Sequence, residues 1–273
     1  MGECGTFQVT SVTPKQAEER GMGGLEHPTC ELCGADLAGT GITSLDGTRV
    51  IRWSVMNCGC EGAVKIREEH HAKVVEEEKR KAVAGIRERK EIRLRYLAAA
   101  GIPDKFTTAK VEGEAPTRYV RAFGPDMHRG LYLIGGVGAG KTYAAAAVAV
   151  AIADKGFRVA FSTTLGLLNE VKSTFGDGDS DESEVMDHYS KADLLVLDDL
   201  GKEPPKEWAL SVLWALVNNR YESTRPTIVT TQYDDAALLK RLAAHGDKET
   251  AEAIVSRLRE MCYRVEMIGG DRR

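Results

Sequence analysis

The 273-residue chain has no run of eighteen apolar residues, and its N-terminus lacks the basic-then-apolar pattern of a secretory signal. A membrane-spanning helix and export are therefore not expected, and the sequence reads as a cytoplasmic protein with no membrane partner. An excess of positive charge is also missing: 37 Lys and Arg stand against 41 Asp and Glu, a formal net charge of −4. That balance argues against a broad nucleic-acid-binding face, though not against a local basic channel. Cysteine is nearly absent beyond the first quarter. Cys4, Cys30, Cys33, Cys58 and Cys60 lie early and only Cys262 lies late. Disulfides are not expected in a cytosolic protein, so the early cluster points to metal and Cys262 to a core position.

What is present divides into four segments. Residues 1–26 are rich in Gly, Thr and Glu without periodicity and are expected to form a flexible leader. Residues 27–62 carry the cysteine pairs. Residues 63–100 are dense in charge, with Glu and Lys or Arg often three or four apart, which predicts a long solvated helix or linker. Its apolar positions (Val64, Ile66, Val74, Val75, Val83, Ile86) keep no clean heptad, which weighs against a coiled coil. Gly101-Ile102-Pro103 ends that helix. Residues 101–273 alternate between short apolar runs, at 131–134, 158–161, 194–197, 227–230 and 263–267, and helical stretches. This pattern predicts an α/β core with a five-stranded parallel sheet covered by helices. The acidic stretch GDGDSDESE, residues 176–184, is too polar to pack.

The core opens with LYLIGGVGAGKT, residues 131–142. Gly135, Gly136, Val137, Gly138, Ala139, Gly140, Lys141 and Thr142 give G-x-x-x-x-G-K-T, followed by Tyr143 and an alanine-rich helix former. Strand, glycine loop and helix make a P-loop for a nucleoside triphosphate rather than a mere turn. Backbone N–H groups and the helix N-terminus would face the phosphates, Lys141 would add a point charge, and Thr142 would offer a hydroxyl to Mg²⁺. In ADLLVLDDL, Asp198 would share the Mg²⁺ with Thr142, and Asp199 would orient or deprotonate the attacking water. The alternative for this pair is capping of the next turn. Asp199 is shorter than the usual glutamate, which suits slow hydrolysis and a switch. PTIVTTQY places Thr231 or Gln232 near the γ-phosphate, unless it is simply a turn after a core strand. IVSRLREMC puts Arg257 and Arg259 on a helix before the last strand, and spacing alone does not separate a catalytic arginine from a surface one.

The pairs Cys30-x-x-Cys33 and Cys58-x-Cys60 suit one tetrahedral Zn²⁺ that would hold together a segment too small for its own core. His27 or His70 could replace one cysteine. Free thiols and a redox pair are the alternatives, and His70-His71 on the charged helix otherwise read as solvated.

Together these pieces resemble the DnaC/DnaI-type replicative helicase loaders, which share their AAA+ ATPase fold with the IstB transposition helpers. The resemblance covers nearly everything after about residue 27. It rests on AGIPDKF, GLYLIGGVGAGKT, LLVLDDLGKE, NNRYESTRPTIVTTQY, SRLREMC and the terminal GGDRR. It implies that Gly135, Gly140, Lys141 and Thr142 are Walker A, and that Asp198 and Asp199 are Walker B. Thr231 and Gln232 fall in the sensor-1 region, with Gln232 where many relatives have Asn. Arg257 matches an arginine finger reaching a neighbouring subunit, and Arg220 of NNRYE is a second interface candidate. No helical lid follows the last strand; Arg272 or Arg273 would partly replace a lid arginine. The N-terminal part looks like the zinc-bearing, helicase-binding domain of the DnaI-type proteins, with a different cysteine order. The implied function is ATP-dependent loading of the hexameric replicative helicase onto single-stranded DNA, with ATP bridging adjacent subunits and slow hydrolysis acting as release. Lys172 is carried as a DNA contact. The competing readings are an IstB-like ATPase helper of a DNA transposase, a small-molecule kinase, and a zinc-ribbon adaptor with a vestigial ATPase.

Overall fold

The computed structural model describes residues 11–44, 46–175, 181–202, 206–245 and 247–268. Cys4, most of the acidic stretch and the terminal GGDRR with Arg272 and Arg273 lie outside them. The chain divides into two units, Met1–Arg87 and Glu88–Arg273.

The first unit contains β1 (Ser11–Val12), α1 (Pro14–Glu19), β2 (Gly23–Gly24), β3 (Ala38–Thr43) and β4 (Arg49–Val55), in the sheet order β1-β3-β4-β2. Thr13 and Gln16 form a reciprocal capping box that starts α1. Beneath the sheet, Val12, Ala17, Ala38, Val50 and Trp53 form a small core, and the Trp53 indole N–H donates to the Leu25 carbonyl at 3.1 Å. So few buried side chains give little hydrophobic stabilisation, which makes a covalent or metal staple important.

Helix α2 (Glu61–Ala99) runs 39 residues, starting in the first unit and ending in the second. Only Leu97 of it is buried, and Glu77 pairs with Arg80 and Lys81 at helical spacing. The long charged helix expected from composition is present. It stops at Gly101 (φ +77), where the chain lies so close to the sheet that a Cβ would sit 2.2 Å from the Phe161 carbonyl oxygen.

The second unit continues with α3 (Glu114–Ala122), β5 (Gly130–Ile134), α4 (Lys141–Ala153), β6 (Val159–Thr163), α5 (Thr164–Ser173) and α6 (Glu182–Lys191). Then come β7 (Leu194–Asp198), α7 (Glu207–Glu222), β8 (Thr227–Thr231), α8 (Asp235–Leu242), α9 (Lys248–Met261) and β9 (Cys262–Glu266). The five strands run parallel in the order β6-β7-β8-β5-β9. Every strand expected from the apolar runs is present, its ends shifted by two residues at most.

β5, β7 and β8 are buried at every position, as central strands covered on both faces must be. Leu131, Leu133, Leu194, Val196 and Ile228 pack toward α4, whose Ala144 to Ala147 are all buried and let the helix approach closely. Tyr132, Ile134, Leu195, Leu197 and Val229 pack on the other face, with α5, α7 and α9. Thus β7, β8 and β5 are neighbours, and the loops at their carboxyl ends share one crevice. Among the described residues no helix is long and apolar enough to cross a membrane.

Candidate functional site

The loop after β5 is shaped by Gly138 and Gly140, at φ +83 and +85, conformations that a side chain disfavours. Gly140 opens α4 without a side-chain cap, so the first N–H groups of that helix find no side-chain acceptor on the cap residue. Lys141 is buried and donates to the Gly135 and Gly136 carbonyls, each at 2.8 Å. Burial above all holds its ammonium below the usual lysine pKa, with Asp199 opposing that shift. Those carbonyl partners are neutral. Thr142 donates its hydroxyl to Asp198, 3.0 Å from each carboxylate oxygen. Asp198 is 3% exposed, and its carboxyl pKa is raised first by burial and also by neighbouring Asp199. Hydrogen bonds from Thr230 and Thr142 oppose that rise.

Thr230 was not singled out from the sequence. Its hydroxyl donates to Asp198 Oδ1 at 2.6 Å and accepts the Asp199 backbone N–H at 2.9 Å. The signal existed only as register: Leu197 pairs with Val229, so Thr230 stands beside Asp198 in the next row. Thr231, by contrast, turns its hydroxyl away to the Leu200 carbonyl at 2.8 Å. Of the two residues expected near the γ-phosphate, Gln232 lines the crevice and Thr231 instead secures the turn after β7. Asp199 adopts φ +59 and pairs with Lys202 at 2.8 Å.

The crevice encloses about 720 Å³, within the range of small-molecule sites. Its lining carries Gly138, Gly140, Lys141, Thr142, Asp198, Asp199, Lys202 and Gln232. Pro103, Phe106, Val137, Tyr143 and Phe161 add apolar and aromatic surface, and Lys105, Glu112 and Thr163 complete the lining. Phe106 meets Tyr143 edge-on at 6.2 Å, and the Tyr143 hydroxyl accepts the Lys110 N–H at 3.1 Å. A lining that combines lysines, hydroxyl and carboxylate groups and aromatic rings suits a phosphate chain joined to a flat base.

The arginines separate clearly. Arg220 is fully buried and cannot be presented to a neighbouring subunit, contrary to its place among the interface candidates. Its guanidinium donates to the carbonyls of Tyr189, Ser190, Ala192 and Pro226 and to Thr227 Oγ1, at 2.6 to 3.0 Å. It bolts α7 to the residues entering β7 and β8. Arg257 lies outside the crevice, 5.8 Å from the Trp214 ring and 5.5 Å from that of Tyr221, with a buried Nη1 that has no hydrogen-bond partner among the described residues. Arg259 pairs with Asp235 at 3.3 Å. Lys172 is exposed on α5 and does not line the crevice. Cys262 is a core residue as expected, its buried thiol pushed up to about 12 and donating to the Thr227 carbonyl.

In the first unit, Cys30, Cys33, Cys58 and Cys60 bring all four sulfurs within 4.8 Å of one another. Cys30 and Cys60 are 3.9 Å apart, and Cys33 and Cys58 are 3.4 Å apart. A zinc tetrathiolate with Zn–S near 2.3 Å has S–S edges of about 3.8 Å, so the set is dimensioned for such an ion. Backbone N–H groups of Leu32 and Cys33 lower the Cys30 thiol to about 7. Cys58 accepts the Cys60 N–H, which favours its thiolate, yet crowding by the Cys33 and Cys60 thiols and burial push it up to about 12. Four thiols this close resist joint ionisation unless a cation sits among them. His27 is not in the cluster: its Nδ1 meets Asp36 at 3.1 Å and its ring lies edge-on to Trp53. His70 is exposed on α2.

Residues 126–273 match the family model of the IstB-like ATP binding protein. The chain belongs to that IstB-like family. Within it and around it, the DnaC replicative helicase loader of Escherichia coli K12 is 28% identical over 105 residues, 38% of this chain and 43% of that protein. An insertion-sequence ATP-binding protein of Sinorhizobium fredii is 28% identical over 147 residues, 50% of this chain and 49% of its own. The DnaI loader of Bacillus subtilis is 26% identical over 150 residues, 53% of this chain and 48% of its own. The chain thus spans less than half the length of each of these relatives. Crystal structures of a DnaC helicase loader and of DnaI each superpose with a TM-score of 0.53, at 25% and 28% identity. Both cover 61% of this chain, and 100% and 94% of their own. The second unit of this IstB-like protein therefore has an ATP-binding, AAA+ ATPase-type fold, and its kin are named both for helicase loading and for insertion sequences.

Proposed function

We propose that this IstB-like protein is an ATPase that loads a hexameric replicative helicase onto single-stranded DNA, working in the cytoplasm. The observation that carries the ATPase reading is the convergence of Lys141, Thr142, Asp198, Asp199 and Gln232 on one crevice at the ends of β5, β7 and β8. The residues from Gly135 to Tyr143 would cradle the phosphates with backbone N–H groups. Lys141, bound only to neutral carbonyls, would exchange them for phosphate oxygens. Thr142 and Asp198 offer the hard oxygen donors that Mg²⁺ requires, and Thr230 keeps Asp198 in place. When bound, Mg²⁺ neutralises charge on the β- and γ-phosphoryl oxygens. Asp199 would orient the attacking water and draw its proton, and Gln232 would position that water from β8. Arg257 would reach the nucleotide of an adjacent copy, so that ATP bridges subunits and slow hydrolysis releases them.

We assign residues 27–62 to a zinc module on Cys30, Cys33, Cys58 and Cys60, residues 63–100 to a helical linker, and residues 101–273 to the ATPase core, after a leader of residues 1–26. The zinc-sized cysteine cluster supports docking of the first unit on the helicase. The test is co-elution with the replicative helicase of the same host, with and without ATP, using Lys141→Ala as a control. A complex that requires residues 1–100, with ATP turnover abolished by Lys141→Ala, is the expected result. The insertion-sequence relative favours a second reading, a helper that presents target DNA to a transposase. ATP-dependent assembly on DNA without any helicase complex would decide for it.

A further inference from the structure

We propose that Lys202 senses the terminal phosphate of the nucleotide within its own subunit, exchanging its ion pair with Asp199 for that phosphate and thereby releasing Asp199 toward the attacking water. The inference rests on the ATP-binding reading of the crevice.

Lys202 is no stray surface lysine, because the turn that carries it is fixed on every side. The chain leaves β7 at Asp199 (φ +59) and turns again at Gly201 (φ +91). Thr230 holds both N–H groups that follow Asp198, taking that of Asp199 on its hydroxyl and that of Leu200 on its carbonyl, each at 2.9 Å. Thr231 donates to the Leu200 carbonyl at 2.8 Å, and Arg241 donates to the Gly201 carbonyl at 2.5 Å. Gly201 packs on Tyr233 so tightly that a Cβ would lie 2.8 Å from the ring. The Lys202 N–H then closes the turn on the Asp199 carbonyl at 3.2 Å, which brings the two side chains together at 2.8 Å. An αL aspartate is uncommon, and here these six contacts hold the turn that carries it.

The root of Lys202 is therefore fixed, while its tip is held by the Asp199 ion pair and 46% of its side chain is exposed. Both partners line the same crevice as Lys141, and the Lys202 charge contributes to the lowered pKa of Lys141, after burial. An ammonium on a four-carbon stem has no preferred planar partner and follows the larger negative charge. A terminal phosphate near pH 7 carries close to two negative charges, against one on a carboxylate. The terminal phosphate of a diphosphate carries the same charge, so position makes the difference: the γ-phosphate of a triphosphate extends one group farther along the crevice, and Lys202 moves to it and frees Asp199. With a diphosphate the ion pair stays closed. The carboxylate that handles water is then available only when there is a bond to hydrolyse.

The test is equilibrium binding of ADP and of a non-hydrolysable ATP analogue, with Mg²⁺, to the full chain and to its Lys202→Met and Lys202→Arg variants. Lys202→Met should weaken the triphosphate analogue about tenfold, the worth of one charge-assisted hydrogen bond, and leave ADP affinity unchanged. Lys202→Arg should restore most of the difference. Equal losses for both nucleotides, or no loss for either, overturn the proposal while leaving the ATP site intact. A wild-type chain that binds neither nucleotide overturns the ATP-binding reading itself, and the role of Lys202 with it.

Discussion

Asp198 is held in a conflict between folding and function. Burial first, and Asp199 beside it, raise its carboxyl above the ordinary carboxylate range, and three hydroxyl contacts from Thr142 and Thr230 only partly offset that. A carboxyl whose folded-state pKa is raised favours the fold below its unfolded pKa, and that contribution disappears as pH rises through the folded value. Asp198→Asn should therefore make the nucleotide-free protein more stable at pH 7. The gain should shrink as pH falls toward 4, as chemical denaturation at the two pH values would show. The same variant should lose Mg²⁺-dependent turnover, since Asn carries no charge to hold the cation. Arg220 shows the opposite case, a buried charge serving the fold alone. Arg220→Met would strand the carbonyls of Tyr189 and Ser190, each costing about 1–3 kcal/mol when buried and unmet, and would leave Ala192 and Pro226 only their longer bonds from Arg225 and the Leu195 N–H. A loss above about 4 kcal/mol is expected in denaturant unfolding. A change below about 1 kcal/mol would show that these carbonyls find other partners.

Elements here differ in how much a single methyl group matters. Gly130 begins β5 against β8 so closely that a Cβ would lie 1.7 Å from the Thr227 carbonyl oxygen, inside any tolerable contact. Gly130→Ala must push β5 away from β8, so soluble expression or cooperative unfolding should be lost. Gly85 lies in the middle of α2, where nothing stands within 4 Å of an added Cβ. Gly85→Ala should increase helicity and stabilise α2 by about 1 kcal/mol, read by circular dichroism during thermal unfolding. The contrast follows from burial. β5 is covered on both faces, whereas α2 is solvated along nearly its whole length.

On the scale of the whole molecule, the two units have very different means of support. Among its described residues Met1–Arg87 has a core of five residues and a four-cysteine cluster, while Glu88–Arg273 has a five-stranded sheet with apolar packing on both faces. If the cysteine cluster holds zinc as proposed, a strong chelator should unfold the first unit and leave Lys141-dependent ATP binding in place. Loss of ATP binding along with the metal would mean that the units fold as one. Much of this architecture was legible from the chain itself. The five strands are continuous apolar runs because central parallel strands are buried on both sides, and the phosphate loop is contiguous, so local spacing reveals it. The charged helix follows from composition and spacing, and the cysteine pairs declare themselves by number and position. Register and backbone conformation were not legible. The neighbour of Asp198 is Thr230, Thr231 faces Leu200 while Gln232 faces the crevice, and the αL turn at Asp199 brings Lys202 back over it. The same holds for Arg220, which looks like any helix arginine until α7 is laid against the ends of β7 and β8. The sequence by itself determined which elements form and where the phosphate loop lies, because those depend on neighbours along the chain. Only the tertiary structure decided which side chains meet, because that depends on strand pairing and on a single dihedral angle.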